Sequence, residues 1–236
     1  IHYTNNNTLN AGTGGSQAPG SASLTGGRSV ILVESTDLLT IDNLTLKNTT
    51  LIGNGGQAEV IYFNSDAGRL VVSNSNFISE QDTVQVKGYS WFYRSLIAGN
   101  VDFIWGGNRV ALFEESEIRS LGDSRGNGSG GYILQARTVT AADKGFVFLN
   151  SRLTRGPGPL GHNIADGQTW LARSGGSASY FDNIVFINTQ MDSHIKAAGW
   201  NTSPLPNPGT ATATSGWREY GSTDLTATSL DVSGRS

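Results

Sequence analysis

Six short segments of the chain share one pattern of apolar and polar positions: alternating apolar residues, then a polar pair, then an apolar residue two further on. They are "TIDNLTLK" (40–47), "VVSNSNFI" (71–78), "FYRSLIAG" (92–99), "FEESEIRS" (113–120), "FLNSRLTR" (148–155) and "FINTQMDS" (186–193). Period-two alternation over so few residues predicts a short β-strand in each. Taking the closing apolar residue as a register mark gives Leu46, Phe77, Ile97, Ile118, Leu153 and Met191, separated by 31, 20, 21, 35 and 38 positions. The shortest spacings define a minimal coil and the longer ones the same coil with loop insertions, which is how solenoids accommodate variation. A coil of about 20 residues carrying several strands predicts a parallel β-helix, with equivalent positions ~4.8 Å apart in adjacent coils. A β-sandwich would need hairpin turns every 8–12 residues. Asp66-Ala67-Gly68 could form one such turn, but the shared register of six segments favours stacking.

The stretches 10–28, 122–131 and 203–216, rich in Gly, Ser, Ala, Pro and Thr, read as loops. Composition agrees with an all-β class: of 236 residues, 37% are hydrophobic, 15% charged and 31 are glycine. A net charge of −3, with no run rich in Lys or Arg, argues against nucleic acid or an anionic membrane as partner. No apolar run approaches the roughly 20 residues that span a bilayer, and Ile1 is not followed by a signal core, so any signal peptide is expected to have been removed. The absence of cysteine excludes disulfides and thiolate metal sites. His2, His162 and His194 fit no metal-binding spacing, so neither metal nor other cofactor is implied; His194 reads as a structural turn residue.

The register brings chemistry into view. Asp82 lies five residues after Phe77 and Asp102 five after Ile97, so the two aspartates are expected to be stacked neighbours on one face. Two carboxylates that close cannot both ionise freely; one is pushed up and the other held down, which makes an acid and a base. Asp102 sits in the apolar run "VDFIW" and needs a partner. Read alone, either aspartate could instead cap a turn.

The stretch "EQDTVQVKGYSWFYRSLIAGNVDFIWG" (80–106) resembles the pectin methylesterase (pectinesterase) family, whose members carry a Gln-Asp-Thr coil followed by Gly-Thr-Val-Asp-Phe-Ile-Phe-Gly one coil later. "GQAEVIYF" (56–63) is similar to the family's Gln-Ala-Val-Ala-Leu, and "ILQAR" (133–137), "WLARSGG" (170–176) and "VFINTQMDSHIKAAGW" (185–200) follow in family order. The resemblance covers roughly residues 30–221. It implies a right-handed, single-stranded parallel β-helix over 1–236, forming one catalytic domain that removes methyl esters from the galacturonate units of pectin. Asp102 is then the nucleophile, Asp82 the acid and base, Arg173 the cation that keeps Asp102 charged, and Gln57 and Gln81 the oxyanion donors. A secreted or periplasmic location and a role in cell-wall modification or pectin degradation are implied with it.

Departures matter too. Where the family reads Gly-Arg-Pro-Trp, this chain has Ala172-Arg173-Ser174-Gly175, so a sugar-stacking tryptophan is missing. Gln85 stands for an expected tyrosine. Trp105 replaces a phenylalanine and is expected either to bind substrate or to pack in the core. The family's opening Gly-x-Tyr-x-Glu strand has no counterpart, so the first coil is expected to be completed by a separate N-terminal segment or by the loop 10–28. Two alternatives stay open: a non-catalytic β-helix that binds acidic polysaccharide, and a related esterase for another acyl group. A pectin-cleaving glycosidase is disfavoured, because the Asp-Asp dipeptide and Gly-His-Gly turn of that class are both absent.

Overall fold

The computed structural model describes residues 1–6, 28–54 and 56–235. These residues wind into coils that each add one strand to three parallel sheets, of seven, seven and eight strands. In one coil, Val84–Val86 lies in sheet 1, Gly88–Tyr93 in sheet 2 and Leu96–Gly99 in sheet 3; the next coil repeats this with Val101–Gly106, Asn108–Glu114 and Glu117–Leu121. The architecture is the all-β parallel β-helix that the repeat spacing predicts. The register marks are direct partners in sheet 3: Leu46 with Phe77, Phe77 with Ile97, Ile97 with Ile118, Ile118 with Leu153, and Leu153 with Met191. All six are buried in the solenoid core.

The polar pair has a physical reason in each coil. Its first member, Asn43, Asn74, Arg94, Glu115, Asn150 or Asn188, adopts a left-handed backbone with φ between 47° and 55°, which turns the chain sharply from sheet 2 to sheet 3. Its second member is usually a serine. The Oγ of Ser75, Ser95, Ser116 and Ser151 donates to the carbonyl two residues back at 2.7–3.1 Å. The same oxygens accept the N–H of Leu44, Ser75, Ser95 and Ser116 from the preceding coil at 3.1–3.2 Å. This serine ladder satisfies backbone groups that the turn withdraws from the sheets.

In-register stacking also piles like side chains on one another. Phe92, Phe113, Phe148 and Phe186 of sheet 2 form a column with ring centroids 4.7, 4.9 and 4.5 Å apart and nearly parallel planes. Trp200 and Trp217 stack at 5.2 Å beyond its end. Truncating Phe113, which contacts a ring on either side, leaves a cavity in the middle of the column. We expect Phe113→Ala to cost about 3–5 kcal/mol; thermal melting checks this, and a loss below about 1 kcal/mol would mean that the coils collapse onto the gap.

Asp66-Ala67-Gly68 forms no hairpin. It joins Ile61–Asn64 of sheet 1 to Arg69–Ser73 of sheet 2 within one coil. Gly68 is required there, since a Cβ would lie 2.2 Å from the carbonyl oxygen of Thr36. The stretches 122–131 and 203–216 are loops as expected, whereas the loop expected at 10–28 lies outside the described residues except for Arg28. Two strands of sheet 3 escape the sequence pattern, His2–Tyr3 and Thr223–Asp224, each too short to show an alternation. His194 is fully buried, and burial pushes its imidazole down to about 4, so it is neutral at pH 7.

Candidate active site

The two aspartates meet at the start of adjacent sheet 1 strands. Ile104 pairs with Val84, Trp105 with Gln85 and Val101 with Gln81, which sets Asp102 opposite Asp82. Both carry a left-handed backbone, with φ of 61° at Asp82 and 45° at Asp102. Toward the following coil the register shifts between Val101 and Ile104, a bulge that contains Asp102. Such irregularities re-aim side chains, here at matched positions in adjacent coils. Asn100 holds the approach to the bulge: its Nδ2 donates to the carbonyls of Leu121 and Ser129 at 2.7 and 2.9 Å, and its N–H donates to the Glu80 carbonyl at 2.6 Å.

Asp102 has the partner its apolar surroundings demand. Arg173, from the sheet 1 strand Trp170–Arg173, donates Nε to Oδ1 at 3.0 Å and Nη2 to Oδ2, a two-pronged contact. The guanidinium lies 4.4 Å above the Tyr132 ring, which fixes its plane. The resemblance, which makes Asp82 the acid, implies that Asp102 is held below the ordinary carboxylate range. The structure corrects this: burial raises Asp102, and the opposing pull of Arg173 and then Arg137 does not overcome it. Asp82 is pushed well above the ordinary range, first by burial, then by the charge of Glu59, with Asp102 adding to the effect against Arg28 and Arg137.

Gln81 adjoins Asp82 and is half-buried, as is Gln57. Gln57 reaches the cluster through a residue that the sequence did not single out. Arg28 Nη1 donates to Gln57 Oε1 at 2.5 Å, and its Nη2 donates to Asp82 Oδ2 at 3.3 Å. Its Nε donates to both carboxylate oxygens of Glu59, at 2.6 and 2.9 Å. Glu59 is fully buried, and burial raises its carboxyl against the pull of Arg28. One signal for this pair was present in the sequence: Glu59 occupies the position of the valine in the family's Gln-Ala-Val-Ala-Leu.

Trp105 offers no open stacking face. It is 6% exposed, with the guanidiniums of Arg137 and Arg28 at 4.7 and 5.6 Å from its ring centre. The ring's negative face attracts these cations, which take the space a sugar would use. Ser174, where the resemblance anticipates bulk, anchors a turn instead: its Oγ donates to Asp182 Oδ2 at 2.8 Å and accepts the Gly176 N–H at 3.0 Å. Beside it opens a cavity of about 280 Å³ lined by Gln135, Arg137, Ser174, Gly175 and Tyr180. Tyr180, 43% exposed, is the aromatic surface available there. A larger cavity, about 420 Å³, opens on sheet 3 among Thr49, Glu80, Arg119 and Pro157; neither cavity is lined by Asp82 or Asp102.

Comparison with known proteins places the chain in a family. The chain matches the family described as Pectinesterase over residues 8–229. It is 29% identical over 172 residues to a probable pectinesterase/pectinesterase inhibitor of Arabidopsis thaliana, covering 67% of this chain and 26% of that protein. It is 29% identical over 148 residues to a pectinesterase of Aspergillus niger, covering 62% of this chain and 41% of the relative. The chain thus spans less than half the length of these curated relatives. Among solved structures it is similar to a pectin methylesterase from Yersinia enterocolitica, with a TM-score of 0.71, 25% identity and coverage of 99% of this chain and 78% of that one. A pectin methylesterase from Erwinia chrysanthemi, at 24% identity, shares the fold with a TM-score of 0.70 over 100% of this chain and 74% of the other. The register-matched aspartates, the Arg173 contact and the match along nearly the whole length lead to one assignment: the chain belongs to the pectinesterase family.

Proposed function

We propose that this chain hydrolyses methyl esters of galacturonate units in pectin, with Asp102 as nucleophile and Asp82 as acid and then base. The observation that carries the reading is the pairing of two aspartates in register, one of them gripped by Arg173 and the other not. Ionised Asp102 attacks the ester carbonyl. The oxygen that gains charge is met by the amide N–H groups of Gln57 and Gln81, neutral donors that stabilise an oxyanion without neutralising the nucleophile. Collapse of the intermediate expels methoxide, which takes the proton of Asp82 and leaves as methanol. Asp82, now ionised, removes a proton from water, and the resulting hydroxide attacks the acyl-enzyme. Breakdown restores ionised Asp102 and frees galacturonic acid, which gives its proton to solvent and leaves as the carboxylate, while Asp82 retains the proton taken from water.

The test is methanol release from highly methylated pectin. Methanol without new reducing ends or unsaturated product supports the esterase. If no methanol appeared while the chain still bound polysaccharide, the non-catalytic reading, motivated by Ser174 and Gly175 in place of bulk after Arg173, would replace it.

Both limbs of the pH profile follow from the site. Because burial raises Asp102, activity should begin to fall on the acid side at a pH above the ordinary aspartate value of about 3.9. On the alkaline side it should fall as Asp82 loses its proton. A flat dependence through both limbs would count against the pair.

Tyr180 beside the 280 Å³ cavity is the proposed sugar-contact surface. Tyr180→Ala should raise KM severalfold with kcat little changed, the mark of binding lost equally from ground and transition states. An unchanged KM would remove Tyr180 from the sugar-contact surface.

A secreted or periplasmic location belongs to the same proposal, since a cell-wall polymer does not cross membranes; recovery of activity only from cytoplasmic fractions of the source cells would contradict it. The additional N-terminal segment expected from the sequence is also proposed. Among the described residues, Ile31–Glu34 and Leu38–Asp42 are terminal strands of their sheets, and exposed strand edges invite a partner. Native mass spectrometry of protein purified from its source should show mass beyond that of residues 1–236, on a second polypeptide or on the same one; the mass of residues 1–236 alone would count against it.

A further inference from the structure

Arg28 joins three groups that the proposed reaction either uses or leaves unexplained. Its Nε is closed by both oxygens of Glu59, its Nη1 by Gln57, and its Nη2 faces Asp82. Glu59 and Arg28 are both buried, and both backbones are tied down. Asn48 Nδ2 donates to the carbonyls of Glu59 and Arg28 at 3.0 and 3.4 Å, and Val30 N–H donates to the Glu59 carbonyl at 3.1 Å. An ion pair held this way is expensive to bury and weak evidence for stability as such. Its geometry instead suits control of its neighbours.

We propose that the Arg28–Glu59 pair is a positioning device: it locks the Gln57 amide with its N–H groups free for the substrate, and it keeps the proton on Asp82. The proposal rests on the reading of Asp82 as the acid. The amide argument is one of direction, because Gln57 Oε1, once it accepts from Arg28, leaves Nε2 as the end able to face an oxyanion. The proton argument is one of charge. A single guanidinium lies between two carboxylates: its Nε–H is shared between both oxygens of Glu59 at 2.6 and 2.9 Å, while its Nη2 makes one longer contact of 3.3 Å to Asp82. Burial raises Glu59 to about 7; above that pH Glu59 is ionised, takes the positive charge, and its own negative charge disfavours ionisation of Asp82. The other charges acting on Asp82 are Asp102, which acts in the same direction, and Arg137 and Arg173, which oppose it. Glu59 in place of valine thus builds in a proton-retaining neighbour that spacing of the two aspartates alone does not supply.

The experiment compares wild type with Glu59→Gln, Arg28→Lys and the double variant Arg28→Gln/Glu59→Gln, each checked for fold by circular dichroism and melting. In Glu59→Gln, Asp82 loses its like-charged neighbour and gains the whole of Arg28. The alkaline limb of kcat/KM should move to lower pH by about one unit. Arg28→Lys keeps the charge but not the planar fork, so kcat should fall about tenfold or more with KM within twofold. If Glu59→Gln does not fold, the double variant, which removes both charges, carries the test; a folded double variant with wild-type kcat and pH limbs overturns the proposal. A second readout is independent of turnover: infrared difference titration of the protonated carboxyl, assigned to Asp82 by its loss in Asp82→Asn. Glu59→Gln should lower the pH at which that band disappears, and an unchanged titration overturns the proposal even if activity changes. A titration that responds to Glu59→Gln in a protein that releases no methanol would sink the esterase reading while leaving the control of Asp82 by Glu59 in place.

Discussion

Asp102→Asn should lower methanol release from methylated pectin by a factor on the order of 10⁴ or more at every pH, because an amide of the same shape cannot form the acyl-enzyme. The fold should survive. Arg173, about one-third exposed at its side chain, loses its counter-ion but keeps contact with water and with the face of Tyr132. The substitution also removes a buried carboxyl that burial holds above its ordinary value. These effects oppose each other, so the melting temperature should stay within a few degrees of wild type, about 2–4 °C per kcal/mol for a chain of this size. Activity and melting measured on one preparation separate the outcomes. Near-normal turnover would make the nucleophile assignment wrong, and loss of the folded state would make Asp102 a structural carboxylate.

Asp82→Asn should be impaired differently, with methanol release down by about 10²–10⁴-fold. Its nucleophile and oxyanion donors remain, so slow acylation persists, but neither methoxide protonation nor activation of water has its group. Stability carries the second signature. The Asp82 carboxyl is raised well above its value in the unfolded chain. Its neutral form therefore contributes stability that is complete below the unfolded value near ~3.9 and is lost as pH rises through the folded value. Wild type should melt at progressively lower temperature across that rise. Asp82→Asn, with nothing to ionise there, should show a shallower decline and melt above wild type on the alkaline side, by about 2–4 °C for each kcal/mol recovered. A melting curve that responded to pH equally in both proteins would assign the dependence elsewhere, with Glu59, also raised by burial, as the next group to test.

The difference between the two aspartates is not visible in their spacing. Both lie five residues beyond a register mark, both have left-handed backbones, and both are buried. What separates them is which arginine each meets. Arg173 comes to Asp102 from a strand 71 residues later and Arg28 comes to Asp82 from 54 residues earlier. The first is named by the "LAR" segment once the family likeness is noticed. The second sits in "TGGRS", a run whose composition says only loop. Trp105 shows the same limit from the other side: its identity suggests sugar stacking, but two guanidiniums brought in from other coils occupy its faces.

The chain's own pattern determined the coil, because a solenoid repeats its neighbours. An apolar mark and a following turn recur wherever the next coil must stack, so Leu46, Phe77, Ile97, Ile118, Leu153 and Met191 announce their pairing in advance, and the alignment of Asp82 with Asp102 follows by counting. Burial and charge partnership do not repeat. They depend on side chains that cross between coils, and burial acts on a carboxylate through everything around it rather than through its sequence neighbours. That is why the tertiary structure alone decided that Asp102 is raised and not depressed, that Glu59 shares Arg28 with Asp82, and that the exposed aromatic lining the cavity next to Ser174 is Tyr180.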